Sequence, residues 1–183
     1  MAENWIDEVL SFWFEEVGPE RWFESSPELD ETIRQRFGAL HDKLASDLPH
    51  EVVASPRGAL AAAIVLDQFP RNMYRGTAKA FATDDLAIRL ARQAIENKVD
   101  EHLTPAERLF LYMPFQHSEI LADQEHAVML FKALGQENAL RYAIEHRDII
   151  ARFGRFPHRN RALGRQSTPE EEVFLQEHKG FGQ

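Results

Sequence analysis

Apolar side chains recur at steps of three and four along nearly the whole chain, the spacing that lines one face of an α-helix. Leu29, Ile33, Phe37, Leu40, Leu44 and Leu48 form the longest such stripe. The same spacing predicts a helix from Trp5 to Glu16, stopped by Gly18-Pro19. An alanine-rich helix follows from Pro56 to Phe69, where Pro70 is expected to end it. Small residues at Ala59 and Ala61–Ala63 would let a neighbour approach closely. A helix opened by Thr83 or Asp84 is carried by Leu86, Leu90, Ala94 and Ile95. Pro114 is expected to interrupt the helix that begins near Thr104. Asp123 can cap the next one, which stops at Gly135, and a further helix runs from Glu137 to Phe153 with Gly154 as its stop.

Four helix starts use one local device. Ser26-Pro27, Ser55-Pro56, Thr104-Pro105 and Thr168-Pro169 each set a capping hydroxyl before a proline at the first helical position. Thr104-Pro105-Ala106-Glu107 and Thr168-Pro169-Glu170-Glu171 also have the capping-box spacing. No alternating β-branched run bounded by turns appears. The expected class is all-α, with seven to nine helices in a single domain over residues 1–183 and a loose tail from Lys179 to Gln183. A clean repeat of the ~34-residue tetratricopeptide kind is absent.

Composition narrows the partners. The net charge of −9 argues against nucleic acid as the main partner. Between Arg141 and Arg165, however, seven arginines face two acids, Glu145 and Asp148, leaving +5 there and −14 elsewhere. A locally basic segment in an acidic protein suits a small anion in a pocket, or internal ion pairs. With no cysteine, disulfides and thiolate chemistry are excluded, and a reducing compartment fits. No apolar run approaches the roughly 20 residues that span a bilayer. The N-terminal stretch is acidic where a signal peptide is basic. The expectation is a cytoplasmic protein without a membrane partner.

Three polar clusters fall at helix ends or breaks. The first is Asp67-Gln68-Phe69-Pro70-Arg71-Asn72 with Arg75, in which the acid opposes the helix dipole and needs a cation such as Arg71 or Arg75. The second is Pro114-Phe115-Gln116-His117-Ser118-Glu119, where His117 could serve as general base, positioned by Glu119. The third is His146-Arg147-Asp148, feeding the loop RFGRFPHRNRALGR from Arg152 to Arg165, whose guanidinium groups can fork onto carboxylate or phosphate oxygens. Each has a plainer structural reading as well: an Asp–Arg pair fastening a loop, groups satisfying backbone freed by Pro114, and a core histidine at position 146. Metal-site, serine-elbow, Walker and dinucleotide-binding motifs are missing, so neither a metal nor a cofactor is expected.

The blocks LDQFPRNMYRG (Leu66–Gly76), ERLFLYMPFQHSE (Glu107–Glu119) and HRDIIARFGRFPHRNRALGR (His146–Arg165) together resemble a bacterial family of unknown function, number 924. The likeness runs over nearly the whole chain. It implies an all-α, tetratricopeptide-like superhelix and no particular reaction. Asp67, Gln68, Arg71, Asn72, His117, Glu119, His146, Arg147, Arg155, His158, Arg159 and Asn160 match its motif positions. On a concave face these could meet.

Two functions then compete, with a purely structural network as a third possibility. In the first, a pocket holds a small anionic molecule, with His117 or His158 as acid or base and Asp67 or Glu119 orienting it. Gln68, Arg71, Asn72, His146, Arg147, Arg155, Arg159 and Asn160 would bind the ligand. In the second, the helical array grips an acidic or C-terminal peptide.

Overall fold

The four hydroxyl–proline starts open four of the helices in the computed structural model, which describes residues 4–181. Helix α1 (Asn4–Ser11) continues as a wider π-helical turn, Phe12–Val17. Next come α2 (Pro27–Ser46), α3 (His50–Ala54) and α4 (Pro56–Ala63). A π turn, Ile64–Gln68, joins α4 to α5 (Phe69–Met73). The rest are α6 (Asp84–Glu96), α7 (Pro105–Gln116), α8 (Leu121–Leu134), α9 (Glu137–Phe153) and α10 (Pro169–Glu177). With Pro56–Met73 taken as one continuous helix, nine helices and no strand lie among the described residues. None of these helices is long and apolar enough to cross a membrane.

The caps act as their chemistry predicts. Ser26 Oγ accepts the Leu29 N–H, and Ser55 Oγ accepts that of Gly58, each at 3.3 Å. Thr104 and Thr168 form full capping boxes, with Glu107 and Glu171 reaching back to the threonine N–H groups at 2.8 and 2.9 Å. Gly135 and Gly154 take left-handed conformations that close α8 and α9.

Two prolines do less than expected. Pro70 does not end its helix, which continues to Met73. The π turn just before it resets the register, so Pro70 falls in a first turn, where no N–H is required. Pro114 lies inside α7, and the helix runs past it to Gln116. Asp123 is not the cap of α8, whose first residue is Leu121. It accepts instead from Ser118 Oγ at 2.7 Å and from Arg92 at 2.8 Å.

The α4 helix lies at the centre, with α1, α6 and α7 packed around it. Its alanines are fully buried, as close approach demands. An aromatic cluster of Phe12, Trp13, Phe37, Phe69 and Phe110 fills the core beside it. The Trp22 indole donates to the Trp13 carbonyl at 2.7 Å and meets Phe110 edge-on. Helices α7, α8 and α9 pack in sequence, α8 on each of the other two. Phe181 stacks on the His146 ring, and Gly182 and Gln183, the end of the tail expected from Lys179, lie outside the described residues.

Close packing of α3 on α4 needs a glycine. A Cβ at Gly58 would sit 2.4 Å from the Val52 carbonyl oxygen, which is backbone and cannot swing away. Gly58→Ala is therefore expected to cost about 1–3 kcal/mol in urea unfolding. Gly38→Ala, where a Cβ meets nothing within 4 Å, should be neutral or slightly stabilising by the same measurement.

Candidate functional site

The π turn Ile64–Gln68 inserts an extra residue per turn into an otherwise apolar helix and carries Asp67 and Gln68 inward. Asp67 is 0% exposed. A carboxylate there survives only if its oxygens are matched. Gln68 Nε2 donates to one oxygen at 2.7 Å, and His117 Nδ1 lies 2.7 Å from the other. Arg71, one turn on, donates to the Asp67 carbonyl at 2.7 Å and lies 3.5 Å from its carboxylate.

The ends of two helices meet here. His117 caps α7, whose last turn is held by Gln124, donating to the carbonyls of Gln116 and Ser118 at 2.7 and 2.6 Å. Burial lowers the His117 pKa, and the Arg71 cation lowers it further against the pull of Asp67. Burial would raise the Asp67 carboxyl, but the Arg71 cation and the hydrogen bonds from His117 and Gln68 outweigh it and hold the pKa low. The pair is thus a neutral imidazole donating Nδ1–H to an ionised carboxylate. The Nε2 of His117, without a partner among the described residues, is left on the opposite edge of the ring.

His146 in α9 stands close by, its ring centroid 6.3 Å from that of His117. Its Nδ1 lies 2.7 Å from the Tyr142 carbonyl, which selects the tautomer with Nε2 unprotonated. Burial, then the proximity of His117, Arg159 and Arg71, pushes its pKa down to about 3.

Arg71 also forks onto Asp84, the first residue of α6, at 2.9 and 3.0 Å. Arg159 lies 3.6 Å from the same carboxylate and donates to the His117 carbonyl at 2.9 Å. Its guanidinium is 4.6 Å from the centroids of Phe81 and Phe156. Burial and the neighbouring Arg71 lower its pKa to about 10, so it remains a cation at neutral pH. Asp67, Arg71, Asp84, His117 and Arg159 thereby form one buried network across α4–α5, α6, α7 and the arginine loop.

A cavity of about 590 Å³ opens against this network. Gln68, Arg71, Asn72, His117 and His146 form its polar wall. Trp22, Phe23, Leu109, Met113, Tyr142 and Phe181 supply apolar and aromatic surface, and Arg75 and Arg141 further charge. Arg75 is held on Asp30 at 3.0 and 3.1 Å, and Asn72 donates to the same carboxylate at 2.9 Å. Arg141 lies over the Tyr142 ring, 5.4 Å from its centroid.

Of the twelve residues singled out in the sequence, Gln68, Arg71, Asn72, His117 and His146 reach the cavity, and Asp67 and Arg159 stand directly behind it. The other five lie elsewhere, each held by partners away from the cavity. Glu119 takes a bidentate fork from Arg165 at 2.8 and 2.9 Å and the Phe156 N–H at 2.9 Å, so it does not orient His117. Arg155 forks onto Glu171 at 2.8 and 2.9 Å, and Asn160 donates to the same carboxylate at 3.0 Å. Arg147 pairs with neighbouring Asp148 on the surface. His158 contacts the His178 carbonyl at 3.1 Å. Among the described residues, no three His, Asp or Glu side chains gather as a metal ion would need.

Sequence reasoning missed Asp84, Asp30, Arg141, Tyr142 and Phe181. Asp84 read only as a helix opener. Phe181 had one available signal, a large apolar residue between two glycines, where a solvated tail has no use for it.

The chain belongs to a bacterial family of proteins of unknown function (DUF924), whose model matches residues 9–179. It is similar to a solved structure of a protein of unknown function from Agrobacterium tumefaciens. The two are 40% identical, with a TM-score of 0.90, over 94% of this chain and 97% of that one. No curated protein matches the chain.

Lowered histidine pKa values make folding pH-dependent with a definite sign. His146 and His117 stay neutral when folded, while in the unfolded chain each takes up a proton below about 6.5. Stability is therefore full above that value and is lost as pH falls towards the folded pKa, by about 1.4 kcal/mol per pH unit for each such histidine. Urea unfolding between pH 7 and pH 4.5 should show this fall, and His146→Phe should flatten it.

Proposed function

We propose that the cavity binds a small organic anion and that Asp67 and His117 act on it as an acid–base pair. One observation carries the reading: a neutral histidine, fixed at Nδ1 by a fully buried carboxylate, lines a cavity of about 590 Å³. That volume falls within the range of small-molecule sites.

In this reading the free Nε2 lone pair of His117 takes a proton from the ligand or from a water molecule. Asp67 holds the ring orientation and stabilises the imidazolium that forms; the same Nε2 later returns the proton. His146 offers a second unprotonated Nε2 as a hydrogen-bond acceptor. Arg141 supplies the positive charge for the ligand's acidic group. Arg71 is committed to Asp84 and acts mainly on the protonation of His117. The alternative, a tetratricopeptide-like array gripping an acidic peptide, draws on the same Arg141 and on Phe23, which is 65% exposed at the cavity rim.

A thermal-shift series against anionic metabolites and an acidic hexapeptide separates the readings. The expectation is a stabilising metabolite whose effect disappears in Arg141→Ala while the unliganded melting temperature stays the same. Where that metabolite is turned over, His117→Asn should reduce the rate by about 10²-fold or more. Stabilisation by the peptide alone would favour the binding module. A metabolite shift untouched by either substitution would place the ligand elsewhere.

A further inference from the structure

The segment after α10 returns to the cavity and lines it with an aromatic ring. Phe181 lies flat on the His146 imidazole, with centroids 3.7 Å apart and planes 18° from parallel. The rings of His178 and His158 flank it at 5.3 and 6.2 Å. Phe181 and Gly180 both line the cavity that His117 and His146 face. One wall of that space is therefore already shaped to a planar ring.

Small contacts hold the ring in place. His178 Nε2 lies 2.7 Å from Glu145, and His178 Nδ1 accepts the Gly180 N–H at 3.1 Å. Gly180 has φ +79°, and a Cβ there would come to 3.0 Å from the His158 ring, so a larger residue would be strained here. Among the described residues the segment has no helix beyond Glu177, and Phe181 is only half-buried. It can be displaced without unfolding a helix.

We infer that Phe181 is a removable occupant of a flat-ring subsite on His146, and that the cavity's ligand is an aromatic carboxylate or similar planar-ring anion that takes its place. This rests on the cavity being a ligand site, as proposed above. The ring class follows from the parallel stack and from Trp22, Phe23 and Tyr142 around the same space. The acidic group follows from Arg141. A neutral imidazole suits the stack, since an apolar face laid over it does not have to desolvate a full charge. By occupying the subsite, Phe181 lowers the apparent affinity for any ring that competes with it.

The test uses phenylacetate and cyclohexylacetate, which share an anion and differ in ring flatness. Each is titrated calorimetrically into the full chain carrying Phe181, Phe181→Ala or Phe181→Tyr. Phe181→Ala should bind phenylacetate about tenfold more tightly than the parent. Cyclohexylacetate should gain little, and Phe181→Tyr should behave as the parent does. If Phe181→Ala loses its fold, Phe181→Leu should show a smaller gain of the same sign. Equal affinities across the variants, equal gains for both probes, or no phenylacetate binding to Phe181→Ala would overturn the inference. If the inference fails while an Arg141-dependent metabolite shift persists, only the ring subsite falls. If that shift is absent too, the pocket reading falls with it.

Discussion

A carboxylate with no exposed surface sets the terms for the middle of this protein. Asp67 must be matched on both oxygens, and its partners come from separate places: Gln68 beside it, His117 at the end of α7, Arg71 one turn on. Arg71 in turn needs Asp84 from α6, and Asp84 draws in Arg159 from the loop after α9. Each charge is tolerable only because the next is present. Removing one member would leave a buried charge uncompensated, which costs several kcal/mol. The network therefore fixes the relative placement of four segments that apolar packing alone would hold less specifically.

The π turn makes this arrangement possible. A regular α-helix from Pro56 would lose a hydrogen bond and be strained at Pro70, and would carry its acid at a different angle to the core. Widening one turn at Ile64–Gln68 places Pro70 where it costs nothing and aims Asp67 and Gln68 at α7. The protonation state of His117 then follows from electrostatics. Burial and Arg71 keep His117 neutral, and Asp67 selects which nitrogen carries the proton. A histidine so prepared is also a liability for stability in acid, since folding must hold back a proton that the free chain would accept.

The arginine loop has a different part. Its charge looks like a site along the sequence, yet Arg155 lies on Glu171, Arg165 on Glu119 and Arg152 on Glu170. These pairs stitch α10 and the end of α7 to the loop. Glu171 is held at about 2, first by Arg155, so it stays ionised at neutral pH. Of that block, Arg159 alone among the singled-out residues turns inward to the network behind the cavity. A cluster of like charges along a chain was thus dispersed in space by acids spread along the rest of it.

Helix identity and boundaries were legible because their causes are local. A hydroxyl before a proline, a glycine free to take positive φ, and apolar residues every three or four positions act within one or two turns. That is why α2, α4, α7, α9 and α10 begin where the residues say. Asp67, Gln68, Arg71, His117 and His146 were also legible as candidates, since each is polar at an otherwise apolar position or helix end. Which of the candidates meet was not. The pairing of Asp67 with His117, the capture of Glu119 by Arg165 and the seating of Phe181 on His146 join residues 35 to 50 positions apart. Such contacts depend on how helices pack, and competition among many arginines and acids for one another is resolved only once the chain has folded.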